Sequence, residues 1–367
     1  MQSQSNLPIK TLSVSFNQNK VTKSNFDESF FANQVAKHIG SDHNQIYIND
    51  DELINIVSKL PEVYTEPLSD VSLIPTYFLC KYARDMGLSV ALSGDGGDEF
   101  FGGYSRHKLI PKIYNQLRSF PNEGRRILSI LVDKSPILNK DANATKKIKL
   151  ITAIKNSSSI EKLYESIVSK WNNPDEILSN SFLKKEFSED NHSINNSYLY
   201  NKFKGLISDE EIIMLFDSTN YLPSNILVKL DRAAMSNSLE TRCPFLDNRV
   251  TSFAMKLPLS LKIKKKSYNT ESKWILKKIL EKYIPKKMIY RPKQGFTPPM
   301  GAWLRGPLKE WAESLLLSNI DLSSNEFLDQ KIVERIWEKH LEEEKDLSEQ
   351  IWTILIWRGW SNKWLNS

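Results

Sequence analysis

Residues 91–107 read ALSGDGGDEFFGGYSRH. Five of the chain's thirteen glycines fall within ten positions here (Gly94, Gly96, Gly97, Gly102, Gly103), with Asp95, Asp98 and Glu99 among them. Glycine lets backbone N–H groups approach a ligand with no Cβ in the way. Successive N–H groups in such a turn cradle an anion. Carboxylates beside the cradle would repel phosphate unless a cation lies between. Asp95 and Asp98 therefore point to Mg²⁺ bridging phosphate oxygens, since hard cations take carboxylate ligands and keep some water. The chemistry read here is a magnesium-complexed nucleotide or pyrophosphate. It is not a Walker loop, because no GK[ST] follows, and not a GxGxxG turn with a distant ribose acid. A structural turn with solvated acids is the other reading of the same residues, since turns collect Gly and Asp.

Such a turn needs a strand to deliver it, and the apolar run Leu88–Leu92 supplies one. Upstream, Ile9–Phe16 alternates as a strand. The segment after it reads as a helix with Asp27 as N-cap, Phe31, Val35 and Ile39 at helical spacing, and Gly40 as its stop. Asn44–Ile48 is the next strand, and Asp51–Leu60 and Ile74–Gly87 are helices. Strands alternating with helices predict a parallel sheet. Ligands of such sheets bind beyond the carboxyl ends of the strands, where the glycine-rich turn sits. From about residue 109 helical periodicity dominates. The tail carries Ile351, Trp352, Leu355, Ile356 and Trp360 on one stripe, which reads as core.

The bulk numbers exclude several classes. The 367 residues are 40% apolar and 26% charged, a globular balance. No apolar run is long enough for a membrane span. The start, MQSQSNLPIKTL, is not a signal peptide. Cys80 and Cys243 form no metal spacing, and Cys80 reads as a buried reduced thiol. These features point to the cytoplasm. The net charge of +6 gathers in KKIK (146–149), KIKKK (262–266) and Lys286–Lys287. Those runs lack interleaved aromatics, so they read as solvated faces and not as a nucleic-acid surface. The five histidines show no zinc spacing.

The quoted stretch resembles the hallmark of the asparagine synthetase family, in the synthetase half of its glutamine-dependent members. Further blocks resemble that family in the expected order: KTLSVSF, DESFFANQVAKHIGSDHNQIYI, EPLSDVSLIPTYFL, YLPSNILVKLDRAAMSNSLETRCPFLDNRV and RPKQGFTPPMGAWLRG. The resemblance runs from residue 9 to near the end. It implies an α/β fold: a parallel-sheet nucleotide-binding core of the PP-loop ATP pyrophosphatase, adenine nucleotide alpha hydrolase-like type. This core would span residues 1–108, incomplete at its amino end, with residues 109–367 the helical portion of the same domain. The family's SGGxDS loop, which clamps pyrophosphate, occurs nowhere in the sequence. The glutaminase domain is missing too. The chain therefore resembles a carboxyl-terminal fragment or one half of a split gene, poorly stable and nearly inactive alone.

The resemblance implies a carbon–nitrogen ligase with ATP and Mg²⁺ as cofactors. Aspartate is adenylated to β-aspartyl-AMP, and ammonia from glutamine then displaces AMP. By motif match, Ser93 and Gly94 contact pyrophosphate and Asp98 binds Mg²⁺. Asp95 lies near the acyl-adenylate as base or orienter, one methylene shorter than Glu. Val14 lines the adenine pocket through its backbone. Lys293 reaches the phosphates, supported by Arg291. Glu240 and Arg242 shape the acceptor pocket, or belong to a structural ion-pair network with Asp231, Arg232 and Asp247. Two rivals stand beside asparagine synthesis: amidation of a sugar or other carboxylate, and a non-catalytic subunit that needs a partner chain carrying the missing part. Neither nucleic acid nor membrane is an expected partner.

Overall fold

The computed structural model describes residues 1–16, 29–133, 150–171, 174–179, 194–265, 270–290, 297–317 and 327–365. Asp27, the lysine run at 146–149, Arg291 and Lys293 lie outside them. The chain divides into two compact units. One comprises Met1–Gly97, Pro223–Ser318 and Trp352–Ser367, the other Asp98–Leu222 and Asn319–Ile351.

The elements that matter run in order as β1 (Lys10–Ser15), α1 (Ser29–Ile39), β2 (Asp42–Tyr47), α2 (Asp50–Val63), α3 (Leu73–Asp85), β3 (Val90–Leu92), α4 (Gly97–Phe101) and α5 (Arg106–Leu117). After them come α6 (Ile160–Val168), α7 (Asp209–Phe216), a π-helical segment (Asp217–Leu227), α8 (Val228–Met235) and β4 (Glu240–Arg242). Then follow α9 (Asn248–Lys256), α10 (Lys309–Leu316) and α11 (Ser348–Trp364).

In the first unit β1 pairs with β2 in parallel, Thr11 opposite His43 and Val14 opposite Ile46. Residues facing one another in a parallel pair share a face. One face is therefore polar. Thr11 Oγ1 lies 2.9 Å from His43 Nδ1 and Ser13 Oγ 3.0 Å from His43 Nε2. Asn33 of α1 donates to Gln45 at 2.6 Å. The opposite face holds Leu12, Val14 and Ile46, of which Val14 and Ile46 are buried. Helix α2 starts at a capping box in which the Asn49 side chain accepts from Glu52 N at 2.8 Å. Gly40 ends α1 with φ +72°, as its position in the sequence predicts.

Two expectations need correcting. The third predicted strand does not extend the β1–β2 pair. β3 pairs in parallel with β4, Val90 opposite Glu240 and Leu92 opposite Arg242. The sequence ETR carries no alternation that marks it as a strand, and only the distant pairing reveals it. The second correction concerns the lysine run at 262–266. Lys264 and Lys265 are exposed, but Lys262, on the last turn of a short helix, is 4% exposed.

The tail helix behaves as its stripe predicts. Ile351, Trp352, Leu355 and Ile356 are buried, whereas Trp360 is only half-buried; the Trp311 and Trp352 rings lie 6.2 Å apart. The buried Arg358 donates to the carbonyls of Leu315 and Leu316 at 2.8 and 2.7 Å, which satisfies the open carboxyl end of α10. In the second unit Ile110 and Tyr114 of α5, Ile160 and Leu163 of α6, and Ile212 and Phe216 of α7 form one apolar core. Among the described residues no helix is long and apolar enough to cross a membrane.

Candidate active site

The turn after β3 begins where Ser93 N donates to Arg242 O at 2.9 Å, the last rung of the β3–β4 ladder. Ser93 Oγ then donates to the Asp95 carboxylate and accepts from Asp95 N at 3.2 Å. Cys243 Sγ lies 3.9 Å from the same hydroxyl. Gly97 N closes the turn on Gly94 O at 3.3 Å. The glycines divide by role. Gly96 has φ +87°, and a Cβ there would run into Leu246. A Cβ on Gly97 would come within 3.2 Å of the Phe245 ring. Both are glycine because the turn packs against Phe245 and Leu246. Gly94 is exposed, with nothing within 4 Å of where its Cβ would be. It leaves room for a ligand to approach the backbone.

Of the other residues singled out, Val14 is 6% exposed. Asp42 N donates to Ile9 O, and this sets the alternation of β1. The peptide groups of Thr11, Ser13 and Ser15 turn toward β2, and those of Lys10, Leu12 and Val14 turn to the opposite edge. Glu240 and Arg242 are exposed and paired with one another at the end of β4. Asp247 caps α9 through Arg249 N and pairs with the Arg249 guanidinium at 2.8 Å. The first unit also holds a cavity of about 540 Å³ between α1 and the helices at 274–289. Thr11, Ser41 and His43 mark it as lying at the amino ends of β1 and β2, away from the carboxyl ends where ligands of such sheets bind.

The second unit takes up the rest of the motif. Asp98 is half-buried on the first turn of α4. Gly102, at φ +70°, and the bond from Gly103 N to Asp98 O at 2.8 Å close the helix. Glu99 is 2% exposed and accepts from Tyr104 OH at 2.6 Å; burial pushes its carboxyl above the usual range. Asp217 is fully buried. It accepts from Arg106 Nε at 3.0 and 2.8 Å, His107 Nε2 at 2.6 Å and Tyr164 OH at 2.7 Å. Burial works against its charge, but the His107 and Arg106 bonds outweigh it and hold the carboxyl low. Burial lowers the His107 pKa, while the Asp217 bond acts the other way. Glu99, Tyr104, Arg106 and His107 lie inside the stretch that the sequence singled out; Glu99 is noted there among its acids, but none of the four is given a role. Asp217 had no local signal at all.

Among the described residues no three His, Cys, Asp or Glu side chains converge as a metal cage.

The asparagine synthase family model matches residues 1–364. The chain belongs to the asparagine synthase family. A glutamine-hydrolysing asparagine synthetase of Bacillus subtilis is 28% identical over 359 residues, 96% of this chain and 52% of that protein. A putative glutamine-hydrolysing asparagine synthetase of Mycobacterium tuberculosis is 29% identical over 341 residues, 91% of this chain and 48% of its own length. A Gibberella zeae protein named as an amidase is 24% identical over 311 residues, 80% of this chain and 45% of the relative. The chain thus spans about half the length of these curated relatives. As an asparagine synthase family chain, it has mostly helical content with small sheets, and its two parallel pairs hold the elements that position Val14 and Ser93.

Proposed function

We propose that this chain is the synthetase part of an ATP-dependent amide-forming ligase. It transfers the adenylyl group of ATP to the β-carboxylate of aspartate, releasing pyrophosphate, and ammonia then displaces AMP to give asparagine. The observation that carries this reading is the family match over residues 1–364, together with an exposed Gly94 at the carboxyl end of β3. Ser93 and Gly94 would receive pyrophosphate through hydroxyl and backbone N–H. Asp98 would hold Mg²⁺, which when bound neutralises charge on the departing pyrophosphate. The peptide groups of Val14, which turn away from β2, would meet an adenine edge. Asp95, oriented by Ser93 Oγ, would face the acyl-adenylate. Lys293 would supply a further cation to the phosphates. Fixed donors of this kind act mainly by stabilising charge where it develops.

The core is read as incomplete. Neither β1 nor β3 has a second strand beside it among the described residues, and SGGxDS is absent from the sequence. The strand bearing that loop, and the glutaminase that supplies ammonia, would come from polypeptide outside these residues. The test is AMP formation from ATP, aspartate and ammonium by the chain alone and with an added polypeptide containing SGGxDS. Activity is expected only with the addition, and Asp98→Asn should lower it about 100-fold or more. Full activity of the chain alone would overturn the incomplete-core reading. No aspartate-dependent AMP under either condition would overturn the reading that aspartate is the carboxylate amidated.

A second reading, amidation of another carboxylate, draws on the relative named as an amidase and on Glu240 and Arg242, which pair with one another in the open. AMP formation with a uronic acid but not aspartate would favour it.

A further inference from the structure

We propose that Tyr104 is a positioning residue for the Asp98 carboxylate, acting through Glu99. The inference rests on the reading that Asp98 meets Mg²⁺. Helix α4 has five residues, too few to hold its own shape, so the direction of Asp98 is set by what anchors the helix. Anchors of this helix lie in the second unit. One is the backbone closure of Gly103 N on Asp98 O at 2.8 Å. Another is the bond of Tyr104 OH to the buried Glu99 carboxylate at 2.6 Å, one residue from Asp98. Burying an acid costs free energy unless its oxygens are bonded. An acid retained here therefore has to be held, and Tyr104 holds it.

Tyr104 is itself fixed. The Arg106 guanidinium lies 3.9 Å from the Tyr104 ring centroid and 4.5 Å from that of Tyr221. The Tyr221 and His107 rings meet Tyr104 edge-on at 6.0 and 5.4 Å. Arg106 is locked in turn by the fully buried Asp217, which also binds His107 and Tyr164. The support runs from Asp217 through Arg106 and Tyr104 to Glu99, and ends beside the metal-facing acid. Partners that orient a metal ligand from behind typically contribute 10–100-fold to metal affinity.

Tyr104→Phe removes only the hydroxyl and leaves the ring that Arg106 covers. The probe is Mn²⁺ with saturating ATP, followed by electron paramagnetic resonance on the full chain together with the SGGxDS-containing polypeptide, with the thermal midpoint measured alongside. The expected result is a 10–100-fold weaker Mn²⁺ dissociation constant for Tyr104→Phe, with Asp98→Asn weaker still. Glu99→Gln keeps an oxygen that can accept the Tyr104 hydrogen bond, so it should bind more tightly than Tyr104→Phe. If wild type and Asp98→Asn bind alike, the metal reading fails and this inference with it. If those two differ while Tyr104→Phe matches wild type, Tyr104 does not position Asp98. Unfolding of Tyr104→Phe with unchanged affinity in its native fraction would make the bond purely structural and likewise overturn the proposal.

Discussion

Lys229 shows what one residue contributes to the first unit. Its side chain is nearly buried, with Nζ 2.8 Å from Asp70 Oδ2 and 2.7 Å from Ser72 Oγ. Asn225 donates to the same Asp70 oxygen at 3.0 Å, and Ser72 covers the other through its N–H and hydroxyl at 2.9 and 2.7 Å. Burial alone would raise the Asp70 pKa, but the Lys229 charge and these bonds bring it from 3.8 to about 2. A folded-state value below the unfolded one contributes stability that is present above about pH 4 and lost as pH falls toward 2. A depression of this size is worth about 2 kcal/mol. Lys229→Met leaves the carboxylate buried without its cation and should cost about 3–5 kcal/mol at pH 7 by urea denaturation. The gap from wild type should shrink near pH 2, and Asp70→Asn combined with Lys229→Met should recover part of the loss. An equal gap at pH 7 and pH 2 would show that Lys229 acts by packing and not by charge.

At the level of elements, the glycines of two turns make a matched pair. Gly40 and Gly96 both hold positive φ, +72° and +87°. Gly40 faces open space, whereas a Cβ at Gly96 meets Leu246. Gly40→Ala should cost about 1 kcal/mol from backbone strain alone, and Gly96→Ala about 3 kcal/mol or more, because Leu246 must also move. Equal losses in thermal unfolding would show that Leu246 yields freely. The same two turns mark what could be read from the chain. Gly40 as a helix stop, the capped start of α2 and the β1 and β2 strands all carry local signals: a turn residue, a cap, an alternation. Strand β4 does not, because three charged or polar residues form a strand only when Val90–Leu92 lies beside them. The pairing of His107 with Asp217, 110 positions apart, is legible only in the fold. The glycine-rich stretch is visible as a candidate site with Gly94 as its ligand-facing glycine, but nothing local says what the other glycines do. Packing of Phe245 against Gly97 assigns part of that motif to the core.

Across the whole molecule, parallel sheets are ordinarily covered on both faces and paired on both sides of each inner strand. Here β3 breaks that pattern. Val90 and Leu92 are 48% and 50% exposed. Ser93 N bonds Arg242 O and Glu240 N bonds Ser89 O, so the peptide groups of Ser89, Ala91 and Ser93 face β4. Those of Val90 and Leu92 face the other way, to an edge that no strand occupies among the described residues. An exposed apolar edge that no strand occupies among the described residues is a template for a further strand. If the SGGxDS-bearing polypeptide completes the core there, the Val90 and Leu92 amides should exchange rapidly in the chain alone and slow about 100-fold or more when that polypeptide is added, in step with the appearance of AMP formation. The Ala91 and Ser93 amides, already bonded to β4, should change far less. Protection of all four amides alike would indicate general compaction of the unit, and protection of none would place the missing strand elsewhere than beside β3.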